Sequence, residues 1–290
     1  MKALTIRQGF FIFFGFSIHG MNNKPENPIG IFDSGIGGLT VAHAIRELMP
    51  HEHMVYFGDT AHLPYGDKSE AAIQAYSVKI ANVLLQKGCK VIVIACHSAS
   101  SAAYELLKEY VRHEALVINV IDPMVEYVAR NFPASTIGLI GTKRTVQSDV
   151  YSKKFNEQDK KISVHALATP LLAPMIEEGF FNNQISREII AQYLSDPHLG
   201  KLDALILGCT HYPLIKKEID EYYESKVRVL DSSLVAAQSL HSYLAEKGLL
   251  NNSPKAESHF YVSDYTESFE ASTRLFFGEN VRLESHQLWN

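Results

Sequence analysis

The sequence predicts an α/β fold of two similar doubly wound parallel-sheet domains, with a candidate active site in the cleft between them. Three observations carry this expectation. Short apolar runs alternate with longer amphipathic segments along most of the chain, as in strands joined by covering helices. With 290 residues, the chain can form two cores at roughly 150 residues each. The third observation is a weak internal repeat. Ile29-Gly30-Ile31-Phe32-Asp33-Ser34 matches Ile137-Gly138-Leu139-Ile140-Gly141-Thr142, and Val93-Ile94-Ala95-Cys96 matches Ile206-Leu207-Gly208-Cys209 at nearly the same offset. All βαβ units look somewhat alike, so the repeat counts mainly through position. In both copies a cysteine ends a strand-like run and opens a helix-like one, at the edge where open α/β sheets bind ligands.

The elements follow in order. Ile29 to Phe32 reads as a buried strand ending at Asp33, and Leu39 to Met49 has helical spacing. Met54 to Phe57 is a second strand. Lys68 to Gln86 places Ile73, Tyr76, Ile80, Val83 and Leu84 on one helical stripe, and Gly88 ends it. Lys90 to Ala95 is a continuous β-branched run, as expected of a strand covered on both faces. A helix over Ser98–Tyr110, a strand over Thr136–Ile140 and helices near Val146–Phe155 and Ser186–Leu194 come next. A strand over Ala204–Leu207 and a helix over Pro213–Tyr223 complete the series.

Residues 1–27 are set apart as an N-terminal extension. The run Phe10 to Ile18, behind Lys2 and Arg7, is like the apolar core of a secretory signal. It is far short of the ~20 residues that span a bilayer, and Gly15-Phe16-Ser17 is a poor cleavage site. A misassigned start or a disordered extension is the alternative reading.

Composition narrows the class further. Hydrophobic residues at 46% and charged residues at 20% exclude a disordered chain. A net charge of −5 gives no global reason to bind nucleic acid or an anionic membrane. Three cysteines with no C-x-x-C pair exclude a disulfide framework and a zinc ribbon, and fit a cytoplasmic enzyme or binding protein with free thiols.

Cys89 follows Gly88 just before a strand and reads as a small core hydrophobe. Cys96 and Cys209 differ, because a helix N-terminus favours the thiolate. Each is followed by polar residues, His97-Ser98 and Thr210-His211, that can cap a helix, bind an anion or carry a proton. Two equivalent cysteines across a cleft suit a symmetric task. One thiolate removes a proton from one face of a carbon, and the opposing thiol returns one to the other face. Gly35, Gly37 and Gly38 let the backbone approach a charged ligand. They are not a dinucleotide fingerprint, whose third glycine would stand at Thr40.

These residues also carry a resemblance. Ile29 through Thr40 (with Asp33-Ser34-Gly35-Ile36-Gly37-Gly38) is similar to the opening motif of glutamate racemases, in the cofactor-independent Asp/Glu racemase superfamily. Tyr56 through Gly66 resembles the second motif of that family. Ala95-Cys96-His97-Ser98-Ala99-Ser100 and Leu207-Gly208-Cys209-Thr210-His211-Tyr212-Pro213 resemble its two cysteine motifs. Ile140-Gly141-Thr142, Thr169-Pro170 through Glu177, Asp231-Ser232 and Phe269–Gly278 are weaker echoes. The resemblance spans nearly all of residues 28–290.

It implies interconversion of L- and D-glutamate without cofactor or metal, with the D-enantiomer supplied to peptidoglycan. It assigns Cys96 to the D-glutamate face, assisted by Asp33, and Cys209 to the L-glutamate face, assisted by His211. Glu177 matches a further catalytic carboxylate. Substrate contacts fall to Asp33, Ser34, Tyr65, Gly66, His97, Ser98, Thr210 and His211. The implied first domain is residues 28–120 plus 231–290 and the second is residues 121–230. Members are often homodimers, so the partners expected are glutamate and a second copy, with no nucleic acid and no membrane.

One departure is His97-Ser98, where the family has Asn-Thr. Ser98 keeps the hydroxyl, but His97 is larger and can titrate. His97 is expected to be a neutral donor to a substrate carboxylate. An adjusted pocket or another substrate such as aspartate remains open, as does a cysteine hydrolase using one thiol with His211 as base. His51-Glu52-His53 reads as a solvated turn rather than a metal site. A zinc ion gathered by Cys96, His97, Cys209 and His211 needs more assumptions than proton transfer does.

Overall fold

The computed structural model describes residues 23–158, 160–253 and 257–289. The signal-like run at Phe10–Ile18 lies outside the described residues. The chain alternates strand and helix: β1 (Ile29–Asp33), α1 (Leu39–Leu48), β2 (Met54–Gly58), α2 (Glu70–Gln86), β3 (Val91–Ile94), α3 (His97–Val111), β4 (Leu116–Asn119) and α4 (Ile121–Asn131). The pattern then repeats as β5 (Thr136–Gly141), α5 (Lys143–Gln147), α6 (Val150–Glu157), β6 (Ser163–Ala168), α7 (Leu172–Glu177), α8 (Gln184–Leu194), β7 (Ala204–Gly208), α9 (Lys216–Tyr222) and β8 (Arg228–Asp231). The chain closes with α10 (Ser232–Glu246), β9 (His259–Val262), α11 (Glu267–Phe277) and β10 (Leu283–Ser285).

Two all-parallel sheets result, as the alternation predicts. The first has the order β10-β9-β2-β1-β3-β4 and the second β6-β5-β7-β8. Strands β1, β3 and β7 are buried along their whole length, because helices cover both faces. Each fully buried Val, Leu or Ile there contributes about 1.5–3 kcal/mol.

The internal repeat is topological as well as sequential. The block β2-β1-β3-β4 has the same strand order as β6-β5-β7-β8. Registers agree too: Phe32 pairs with Ile94, and their repeat counterparts Ile140 and Leu207 pair with each other. Strands β9 and β10 extend only the first sheet, and α10 packs against both α1 and α4.

Local chemistry sets the helix ends. Ser69 caps α2 by accepting from the Ala72 amide at 3.3 Å, and Gly88, at φ 74°, lets the chain leave that helix. The helix expected near Val146–Phe155 is divided. Asp149 adopts a left-handed φ of 55°, which ends α5 and starts α6. The helix expected from Pro213 begins as a 3₁₀ turn over Tyr212–Ile215 and becomes α-helical only at Lys216.

His51-Glu52-His53 is not the solvated turn expected. Glu52 is buried, its Oε2 lies 2.6 Å from Lys90 Nζ, and its Oε1 accepts from the Asn251 amide at 2.9 Å. Lys90 Nζ also donates to the Pro25 and Leu249 carbonyls at 2.6 and 2.9 Å. The buried charges are paired and hydrogen-bonded, and they fasten both ends of the first sheet's chain to the start of β3. Cys89 is buried in the apolar core beneath α2, and burial pushes its thiol up to about 12.

Candidate functional site

The site forms at the carboxyl ends of β1, β3, β5 and β7, where both sheets present the turn that follows a buried strand. Asp33 ends β1 and is fully buried. Its Oδ2 accepts from the Gly35 amide at 3.0 Å, and its Oδ1 accepts from Thr210 Oγ1 at 3.4 Å. That last bond crosses from one sheet to the other. A second crossing is Thr40 Oγ1 donating to the Thr210 carbonyl at 2.9 Å.

Cys96 follows β3 and caps α3, its Sγ accepting from the Ala99 amide at 3.5 Å. The thiol also donates to Ser34 Oγ at 3.7 Å. Burial first, then the Asp33 charge, push the Cys96 thiol up to about 12, with the Ala99 and Ser34 hydrogen bonds opposing. Cys96 is therefore a thiol at neutral pH, poised to donate a proton.

Cys209 follows β7 and has different neighbours. Its Sγ lies 3.6 Å from His211 Nδ1, and His211 Nε2 lies 2.8 Å from Glu177 Oε1. Burial disfavours a charge on His211, yet Cys209 and Glu177 outweigh it and raise its pKa well above 6.5. Thiol, imidazole and carboxylate make a relay in which His211 holds a proton between two acids. Burial also raises Asp33 above the ordinary carboxylate range, with His211 and the Gly35 amide opposing.

The glycine turn is shaped by what it touches. A Cβ at Gly37 would stand 2.6 Å from His211 Nδ1 and 2.7 Å from Thr210 Oγ1, and one at Gly38 would stand 2.5 Å from Asp33 Cβ. The bare backbone lets the two sheets meet here. Gly66 makes a similar approach, its Cβ position lying 2.9 Å from Thr142 Cβ. Thr142 Oγ1 in turn lies 2.9 Å from Ser98 Oγ and accepts from the Thr145 amide at 3.2 Å.

The structure thus gathers Asp33, Ser34, Gly66, Cys96, Ser98, Glu177, Cys209, Thr210 and His211. The other two expected substrate contacts are Tyr65 and His97. The Tyr65 hydroxyl donates to Asp59 Oδ2 at 2.6 Å. The His97 ring is buried near Tyr151, at 6.4 Å between centroids, and neither nitrogen has a hydrogen-bond partner. Burial lowers its pKa to about 3, which favours the neutral ring.

Sequence reasoning gave Thr142 no role, although the repeat aligns it with Ser34. It also missed Thr40, Tyr56, whose hydroxyl donates to the Gly35 carbonyl at 2.7 Å, and the carboxylate of Asp59. Among the described residues, no group of three or more His, Cys, Asp and Glu side chains is arranged to hold a metal ion. No helix among them is long and apolar enough to cross a membrane.

Comparison with known proteins places this geometry. A family model for Asp/Glu/hydantoin racemases matches residues 39–240. The glutamate racemase of Chlorobaculum tepidum is 38% identical over 257 residues, 88% of this chain and 94% of that protein. The glutamate racemase of Aquifex aeolicus is 40% identical over 253 residues, 87% of this chain and 95% of that one. The crystal structure of glutamate racemase from Francisella tularensis in complex with D-glutamate superposes with a TM-score of 0.85 at 37% identity, covering 91% of this chain and 98% of that one. With two matched parallel sheets, a cysteine at the same place on each and this similarity along nearly its whole folded length, the chain belongs to the Asp/Glu/hydantoin racemase family, among its glutamate racemases.

Proposed function

We propose that the chain interconverts L- and D-glutamate by proton transfer at Cα between two thiols, without a cofactor. The observation that carries this reading is the pair Cys96 and Cys209, one at the carboxyl end of β3 and one at the end of β7, on two sheets joined at the site by Thr210 donating to Asp33 at 3.4 Å.

In the L-to-D direction Cys209, as a thiolate beside the His211 imidazolium, takes the Cα proton. The electron pair left on Cα is delocalised into the substrate carboxylate. Cys96, held as a thiol by burial and by Asp33, delivers its proton to the opposite face. The reverse direction exchanges the two roles. Glu177 orients His211 through the 2.8 Å contact, and Asp33 serves the Cys96 side. The turn amides after Asp33, the hydroxyls of Ser34, Ser98 and Thr210, and Gly66 are suited to fixing the substrate's charged groups. Tyr65 acts by shaping the loop wall, and His97 is a neutral donor to a substrate carboxylate. The Cα proton is a very weak acid, so preorganised charge and water exclusion supply most of the catalysis.

The product fits a supply of D-glutamate to peptidoglycan in the cytoplasm, and family resemblance supports a homodimer. The two domains are read as residues 28–120 with 231–290, and residues 121–230. Membership of β9 and β10 in the first sheet supports that return of the chain.

The test is incubation with L-glutamate in deuterated water with nothing else added. Loss of optical rotation with deuterium entering at Cα is expected. Full racemisation by Cys96→Ala or Cys209→Ala would overturn the two-thiol step, and activity needing only one cysteine would favour a hydrolase-like nucleophile.

A further inference from the structure

Asp59 sits where β2 turns toward the loop bearing Tyr65 and Gly66, and it is fully buried. Its carboxylate is surrounded by donors from distant parts of the chain. Oδ2 accepts from the Tyr65 hydroxyl at 2.6 Å, and Oδ1 accepts from Ser263 Oγ at 2.7 Å and from Trp289 Nε1 at 2.7 Å. His62 Nδ1 lies 3.0 Å from Oδ2. Trp289 is the only tryptophan in the sequence and stands next to the last residue.

Its ring closes an aromatic cluster over the same loop. It lies 4.5 Å from His62 and 5.2 Å from Tyr76, edge to face in both cases, while His62 stacks on Tyr76 at 4.0 Å. Lys79 Nζ lies 4.8 Å from the Trp289 ring centroid. The stretch after β9 adds two further ties: the Ala61 amide donates to Ser263 Oγ at 3.0 Å, and the Asp264 amide to Thr60 Oγ1 at 2.9 Å. Residues 59–66 are therefore held on one side by the chain's tail. On the other side they press Gly66 onto Thr142, whose Oγ1 lies 2.9 Å from Ser98 Oγ in the site.

We propose that Trp289 is a positioning residue: the carboxyl-terminal tail latches the Asp59–Gly66 loop, through the Trp289–Asp59–Tyr65 hydrogen bonds, in the form that meets the substrate. The proposal deepens the glutamate-racemase reading and rests on it. The latch touches neither cysteine, so it governs substrate capture more than proton transfer. Trp289 then becomes a determinant of affinity.

The experiment compares the unaltered chain with a truncation after Leu288 and with Trp289→Phe, which keeps the ring and loses the N–H. Hydrogen exchange of residues 59–66 is read without substrate, and KM and kcat are read with L- and D-glutamate. The truncation is expected to speed exchange at 59–66 while β1 and β3 keep their protection. It raises KM roughly tenfold, the change expected from losing one hydrogen bond to a carboxylate, with a smaller fall in kcat. Trp289→Phe is expected to fall between the two. Unchanged exchange at 59–66, or loss of protection throughout the sheet with kcat and KM failing together, overturns the latch. An active unaltered chain with an equally active truncation refutes the latch alone, whereas an unaltered chain that leaves glutamate untouched refutes the reading beneath it.

Discussion

Gly37→Ala is the sharpest perturbation the site offers. The added methyl would stand 2.6 Å from His211 Nδ1 and 2.7 Å from Thr210 Oγ1, where an ordinary contact needs about 3.5 Å. The Gly37 backbone lies outside the left-handed region, so the effect is one of contact and not of backbone strain. His211 must retreat by about 1 Å. It is held at 3.6 Å from Cys209 and 2.8 Å from Glu177, and it cannot move that far and keep both. A displacement of about 1 Å costs about 10²-fold in rate, equivalent to about 2.7 kcal/mol of barrier. Overpacking removes a further 1–3 kcal/mol of stability, about the range for extra core methylenes. The assay is kcat/KM for glutamate with deuterium entry at Cα, read beside the urea midpoint. Gly35→Ala is the steric control, since its methyl meets only Leu63 Cδ2 at 3.5 Å: its urea midpoint should stay close to that of the unaltered chain and its rate should fall less than that of Gly37→Ala. Equal rates for the two variants would refute the placement of His211 in the reaction.

Glu177→Gln should lower the His211 pKa, because it removes one of the two acids that hold it up against burial. A folded pKa above the unfolded value gives stability that is present below about pH 6.5 and lost as pH rises through the folded pKa. In the variant that loss moves to lower pH, together with the alkaline limb of the rate profile. His97→Asn should leave the rate profile's shape intact, because burial already keeps His97 neutral down to about pH 3. The unfolded chain binds a proton that buried His97 refuses, so stability falls as pH drops below about 6.5, by up to about 1.4 kcal/mol per pH unit. The urea midpoint of His97→Asn should depend less on pH over that range. Lys90→Met leaves Glu52 as an unpaired buried charge and should cost about 3–5 kcal/mol. Adding Glu52→Gln should recover part of that loss in the same denaturation assay.

The strands that position the chemistry were legible because burial on both faces leaves a continuous apolar run, as in Val91–Ile94 and Ala204–Gly208. The cysteines were legible because each ends such a run. Edge strands were harder to read. The run Leu116–Asn119 is only half covered, and Arg228–Asp231 begins and ends with a charge, so neither carries a long apolar signature. The break in the helix near Val146 depends on the left-handed turn at Asp149, which the helical spacing did not reveal. Glu52 looked like part of a solvated turn because its partners Lys90 and Asn251 are remote in sequence. The same holds for Asp59, whose donors Ser263 and Trp289 are brought to it by strands β9 and β10. Tyr65 carries the expected residue type, but its hydroxyl is held by Asp59, a partnership the spacing did not reveal.

The matched sheets carry unmatched thiols: Cys96 leans on a serine and an amide, Cys209 on an imidazole backed by a carboxylate. Mirror-image substrates have the same free energy in water, so catalytic efficiency must be identical in the two directions however lopsided the catalyst is. The lopsidedness can surface only in saturation and maximal rate taken separately, and in which proton removal shows the larger isotope effect. A scaffold built twice and furnished differently can therefore bias occupancy and throughput between the mirror forms while the final mixture stays racemic.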